Sequence, residues 1–341
     1  MEDKNVTDRV LIIAEIGVNH NGDLELAKRM VEAASTSDLD IIKFQTAIPE
    51  LVQIESAPKA DYQKSTTDES QTAAEMIASL QLTYDEFVDL KSFVEAHGKQ
   101  FLSTAFDLPS LGFLDSLGLT LFKIPSGEIT NLPYLRAIAE YAQELILSTG
   151  MSTMDEIRAA IEAITATGFA KEKLTVLQCN TAYPSPIDDA NLRAMVTIGR
   201  EFGVRIGYSD HSEGPAAALA AVALGATVIE KHFTTDRGLP GPDQHASMEP
   251  ADFAELVANI RQIERALGSP EKAITESERE NRPVARRGVY AARDLPAGTV
   301  LTLEDVVCLR PETKLSPMAI DQVIGVPLPH AVGRHQPIPP V

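Results

Sequence analysis

Short apolar runs alternate with stretches of helical period along most of the chain. Runs at 10–16, 41–45, 100–104, 121–124, 145–148, 174–178, 205–209 and 228–232 have the length and character of buried strands. A helix-period segment follows each, at 24–36, 84–97, 109–117, 132–141, 154–167, 192–202, 215–224 and 251–267. In the first of these, Leu24, Ala27, Met30, Val31 and Ala34 recur close to the 3.6-residue period. Thr153-Met-Asp-Glu156 reads as a capping box, and Pro215 stands where a first-turn proline belongs. Eight strand–helix units predict an α/β fold, a (β/α)8 TIM barrel over 1–268. A doubly wound open sheet fits the same periodicity, which carries no information on closure.

The segment 47–82 is too long for a simple connection, and its polar middle, 62–70, reads as a mobile lid. After Gly268 the pattern changes. Residues 269–283 are polar, a linker or an exposed helix. Residues 284–341 form a small turn-rich domain with short strands expected at 288–291, 299–301 and 323–326. A piece that small buries little by itself, so it is expected to lean on its own barrel or on a partner.

The net charge of −19 and pI of about 4.8 exclude a nucleic-acid or anionic-membrane surface as the main partner. They also make lysines after apolar runs notable, because an acidic protein must concentrate cations locally to hold an anion. Cys179 and Cys308 form no metal or disulfide pattern, which fits a reducing, cytoplasmic setting. The apolar runs are too short for a signal sequence or a membrane span.

In TIM barrels the catalytic groups stand at the C-terminal strand ends. Here every such end is polar or charged, with Glu15, Lys43, Gln45, Thr104, Lys123, Ser126, Glu128, Ser148, Gln178, Asn180, Thr181 and Tyr183 among them. The last two strands end in Ser209-Asp210-His211 and Glu230-Lys231-His232. Lys43 and Lys123 read either as lysines snorkelling to the rim or as cations for a phosphate or carboxylate, and Ser126-Gly127 beside one of them favours the anion. His211 and His232, singly, would be ordinary core histidines. As a pair on adjacent strands they suit an open divalent-metal site completed by oxygen ligands: Mn²⁺, Mg²⁺ or Co²⁺. Glu15 and Glu128 are expected to flank the mouth as carboxylates able to orient water or a hydroxyl. His97 reads as a helix-end group.

Taken in order, Ile12-Ala-Glu-Ile-Gly-Val-Asn-His-Asn-Gly22, Ile42-Lys-Phe-Gln-Thr46, Phe122-Lys-Ile-Pro-Ser-Gly-Glu128, Gln178-Cys-Asn-Thr-Ala-Tyr-Pro184, Gly207-Tyr-Ser-Asp-His211 and Glu230-Lys-His-Phe-Thr234 resemble the sialic acid synthase family. Ala297-Gly-Thr-Val-Leu301 and Leu309-Arg-Pro311 resemble its C-terminal antifreeze-like (SAF, β-clip) domain. The resemblance implies condensation of phosphoenolpyruvate with N-acetylmannosamine, or with a 2,4-diacetamido-trideoxy sugar to give legionaminate. It implies a Mn²⁺-type ion on His211 and His232, and phosphoenolpyruvate contacts from Lys43, Thr104, Lys123, Ser126, Asn180 or Thr181, Tyr183 and Ser209. It places Gln45, Glu128, Tyr183 and Asp243 at the sugar and gives Glu15 the proton or the water. It further implies a domain-swapped homodimer in which Arg310 completes the partner subunit's site. Two other readings are weighed: a non-catalytic carbohydrate binder, which the full set of ionisable strand ends disfavours, and an ice-binding tail, which its charged residues disfavour.

Overall fold

The computed structural model describes residues 9–54, 56–59, 63–64, 67 and 71–341. They divide into two compact units, 1–268 and 269–341.

In the first unit, eight strands form one all-parallel sheet: β1 (Leu11–Gly17), β2 (Ile41–Thr46), β3 (Gln100–Ala105), β4 (Leu121–Ile124), β5 (Glu144–Ser148), β6 (Leu174–Cys179), β7 (Arg205–Asp210) and β8 (Val228–His232). The order is β3-β2-β1-β8-β7-β6-β5-β4. The terminal strands of that row, β3 and β4, are consecutive in the chain and approach each other, so the sheet curls into a near-closed TIM-like barrel rather than an open sheet. Strand residues such as Ile12, Ile13, Ile41, Ile42, Leu145, Leu147 and Val176 are buried, whether they face the barrel interior or the surrounding helices, as expected for a parallel sheet covered on both faces.

Helix starts follow local chemistry. Asp23 accepts hydrogen bonds from the Glu25 and Leu26 N–H groups, and Thr83 and Thr153 form capping boxes with Glu86 and Glu156. Pro215 is the N-cap of the helix Ala216–Ala223, one position earlier than the sequence predicted. His97 caps the helix Tyr84–Ala96 with its ring on the Phe93 carbonyl. Gly207 is required by close packing: a Cβ there would lie 2.5 Å from both Leu177 Cδ2 and the Val228 carbonyl.

The connection 47–82 is not featureless. It carries the helices Pro49–Val52 and Ala73–Ser79, the second started by a Thr72–Glu75 capping box. Most of 62–70, the expected lid, lies outside the described residues.

The second unit has its own core of Val289, Ala291, Leu295, Leu301, Leu315, Val323, Leu328, Val332 and Ile338. Its antiparallel pair is β9 (Gly288–Ala291) with β10 (Val306–Leu309). Of the other expected strands, Val300 makes only an isolated bridge to Pro327, and Val323 ends a 3-10 turn. Gly298 and Gly325, both at φ +82°, turn the chain at those points and shorten any ladder. Residues 276–279 and 281–285 are short helices. No helix among the described residues is long and apolar enough to cross a membrane.

Candidate active site

The strand period of two decides which residues meet. Each strand sends its last inward side chains to one place: Glu15, Lys43 and Gln45, Thr104, Lys123, Ser148, Cys179, Ser209, Glu230 and His232 all line one cavity of about 330 Å³. Register does the rest. Glu15 pairs with Lys43 on one side and with His232 on the other, and Ser209 pairs with Glu230.

The floor is a buried alternation of charge. Lys43 Nζ lies 2.8 Å from Glu15 Oε2 and 3.7 Å from Glu230 Oε2, and Lys123 Nζ lies 3.2 Å from Glu230 Oε1. Lys43 also donates to Thr104 Oγ1 at 3.1 Å, Gln45 Nε2 to Glu15 Oε1 at 3.1 Å, and Ser209 Oγ to Glu230 Oε1 at 3.0 Å. Burial alone would raise Glu230, but Lys123 and Lys43 outweigh it and hold the carboxyl at about 2. Glu15 goes the other way: burial pushes it up to about 7 against the pull of Lys43, with the negative Glu230 adding to the rise. Burial lowers Lys123. Asp243, also at the cavity wall, is raised by burial to about 6.

His211 and His232 stand with ring centroids 5.3 Å apart, and the Tyr183 ring lies 4.2 Å from the first and 5.8 Å, edge-on, from the second. Burial lowers His211 to about 4 and His232 well below its ordinary value, so both are neutral at pH 7. His211 Nδ1 meets the Asn180 carbonyl. A carbonyl only accepts, so the proton is on Nδ1 and the Nε2 lone pair is left for another partner. His232 Nδ1 is buried without a hydrogen-bond partner. Two neutral imidazoles with unspent nitrogens fit a divalent ion. Among the described residues no group of three or more His, Cys, Asp and Glu joins them, so the protein would supply two ligands and leave the other positions open.

A second cluster sits beside the lysines. Ser126 Oγ accepts from Gly150 N–H at 2.9 Å and lies 3.2 Å from Cys179 Sγ. A Cβ on Gly150 would lie 2.5 Å from Thr181 Cγ2 and 2.9 Å from Ser126 Oγ, so glycine keeps this corner open. Ser148 Oγ is buried and unpartnered.

Three expected site residues stand elsewhere. Glu128 is half-buried on the 3-10 turn Ser126–Glu128; its carboxylate accepts from Asn131 Nδ2 at 2.6 Å and does not line the cavity, because that turn carries it outward. The Asn180 side chain accepts from Ala182 N–H and Ser185 Oγ, so it closes its own loop, while Thr181 lines the cavity. Arg310 is exposed in the second unit. Of the polar strand-end residues, Ser103, Gln178, Asp210 and Lys231 do not line the cavity. Glu230 and Ser148 carried no assigned role in the sequence reading, although they share the parity of His232 and the final position of β5. That parity is the signal that would have found them.

Residues 30–272 match the NeuB family and residues 286–341 the SAF domain. The N,N'-diacetyllegionaminic acid synthase of Campylobacter jejuni is 43% identical over 323 residues, covering 93% of this chain and 95% of the relative. The N-acetylneuraminate-9-phosphate synthase of Mus musculus is 37% identical over 86% of this chain and 81% of its own. The crystal structure of N-acetylneuraminic acid (sialic acid) synthetase from Leptospira borgpetersenii, in complex with citrate, superposes with a TM-score of 0.70 at 34% identity, covering 82% of this chain and 94% of that one.

Proposed function

The chain belongs to the NeuB family, and on that premise we propose that it is a nonulosonic acid synthase condensing phosphoenolpyruvate with 2,4-diacetamido-2,4,6-trideoxymannose and water to give N,N'-diacetyllegionaminate and phosphate. The observation that carries the reaction class is the floor: two buried lysines facing one cavity with Glu15, Glu230 and two neutral imidazoles. The higher identity to the legionaminic acid synthase, 43% against 37%, moves the acceptor from N-acetylmannosamine, the sequence's first expectation, to the trideoxy sugar. N-acetylmannosamine is the second reading, favoured by the superposition on the Leptospira sialic acid synthetase.

In this proposal Lys43 and Lys123 hold the phosphate and carboxylate of phosphoenolpyruvate, with hydroxyls of Thr104, Ser126 and Ser148 as donors and Ser209 beside them, its own proton given to Glu230. Tyr183, packed at a tilt on His211, separates the two substrates, and Gln45 and Asp243 face the sugar. A Mn²⁺-type ion on His211 and His232 would supply Lewis-acid polarisation of the aldehyde. Carbon 3 of phosphoenolpyruvate bonds to the aldehyde carbon, whose oxygen takes a proton from Glu15. Water bonds to the resulting oxocarbenium carbon and gives its proton to Glu15, whose raised pKa suits a group that takes and returns protons near neutrality. The C–O bond to phosphate then breaks as the new hydroxyl becomes the keto group and passes its proton to the departing phosphate. Arg310, exposed and without an ion pair among the described residues, is proposed to complete the partner subunit's site in a homodimer.

The test is phosphate release and product mass with phosphoenolpyruvate, Mn²⁺ and each sugar. Turnover of the trideoxy sugar at higher kcat/KM is expected. Turnover of N-acetylmannosamine alone overturns the acceptor, and release with neither overturns the synthase. For the dimer, an Arg310→Ala subunit paired with a Glu15→Ala subunit should regain activity; a verified mixed dimer that stays inactive contradicts sharing.

A further inference from the structure

The outer half of the cavity is built differently from its floor. Val18, Met76 and Leu80 form a small hydrophobic cluster separate from the main core, with Ile77 packed against it, and all four line the cavity. Val18 follows β1. The other three belong to the helix Ala73–Ser79 and the residue after it, in the long connection behind β2. The wall therefore rises beyond the strand ends, on the approach to the floor.

None of these four side chains carries a nitrogen or oxygen that could pair with a hydroxyl. Gln81, next in the chain, has its side-chain oxygen committed to Ala47 N–H at 3.0 Å. Among the described residues lining the cavity, the lysines are Lys43 and Lys123, and both are engaged with carboxylates at the floor. An acceptor sugar must bring its aldehyde carbon to the floor, so its C6 end projects toward the rim. A methyl group there is buried against aliphatic carbon. A hydroxyl or phosphate set against these four side chains gives up water hydrogen bonds and gains no partner from them.

We propose that Val18, Met76, Ile77 and Leu80 are specificity-determining residues, forming a wall that accepts a C6 methyl and discriminates against the same sugar bearing a 6-hydroxyl or 6-phosphate. The inference rests on the synthase reading above and adds to it the residues that choose the acceptor.

The test uses a matched pair, 2,4-diacetamido-2,4,6-trideoxymannose and its 6-hydroxy counterpart, in calorimetric binding and in kcat/KM on the intact protein. Wild type should prefer the deoxy sugar by roughly 10- to 100-fold. Ile77→Asn and Met76→Gln should each cut that ratio about 10-fold or more, mainly by gaining on the hydroxy sugar. Val18→Thr, nearly isosteric, supplies the same reading should either variant fail to fold. Equal use of the two sugars by wild type, or a ratio unmoved in folded variants, overturns the wall. If neither sugar is turned over, the synthase reading fails, and the binding ratio still decides for or against the wall.

Discussion

At the end of β8, Glu230 and Lys231 are consecutive residues whose side chains leave the strand on opposite faces, each into a different set of buried charges. Lys231 donates to Asp210 Oδ2 at 2.8 Å and to the Ser212 carbonyl at 2.7 Å, while Asp210 Oδ1 accepts from Ser212 N–H and Oγ–H. That pair, 1% and 0% exposed, is complete. Inward, Glu230 shares two lysines, Lys43 is divided between two carboxylates, and Ser148 Oγ and His232 Nδ1 have no partner. Both clusters carry the cost of burying charge. The outward one offsets it internally. The inward one leaves groups unspent beside a cavity, which is how a buried network differs when it serves a ligand.

The two clusters should respond oppositely to loss of a lysine. Lys123→Met removes a cation that would bind substrate, so phosphate release should fall roughly 10³-fold. A loss below 10-fold in the folded variant would remove Lys123 from the chemistry. Lys231→Met leaves Asp210 buried and uncompensated, which should cost about 3–5 kcal/mol in urea unfolding. The double variant Asp210→Asn/Lys231→Met should recover much of it. In both, the folded fraction should turn over close to the wild-type rate. A large kinetic defect without instability would make the outward pair part of the site.

The sequence supports the barrel because eight apolar runs and eight helical periods survive without tertiary information, and even Thr153–Glu156 could be read as a cap. It placed Lys43, Lys123, His211 and His232 at one rim for the same reason. Facing was harder. Asp210 and Glu230 look alike in a string of strand ends, and only parity, applied along Glu230-Lys231-His232, separates them. Glu128 and Asn180 were out of reach, because the turns that carry them away from the cavity are set by local bonds to Asn131, Ala182 and Ser185. The strands of the second unit were over-read because Gly298 and Gly325 turn the chain where β-branched residues suggested extension.

The smallest expected effect tests whether the inward cluster is truly unfinished. Glu15 titrates ordinarily near 4.5 and is raised in the fold to about 7, first by burial. The folded chain therefore keeps this proton to higher pH than the unfolded chain does. Its stabilising contribution is fully present below about 4.5 and is lost as pH rises through about 7. Glu15→Gln is permanently neutral and lacks that loss. The melting midpoint of the variant relative to wild type should accordingly rise between pH 4.5 and 7 and level off on either side. A constant offset across that range would mean that Lys43 fully satisfies Glu15. The inward charges would then be as complete as Asp210 and Lys231, and the proton-handling role of Glu15 would lose its physical basis.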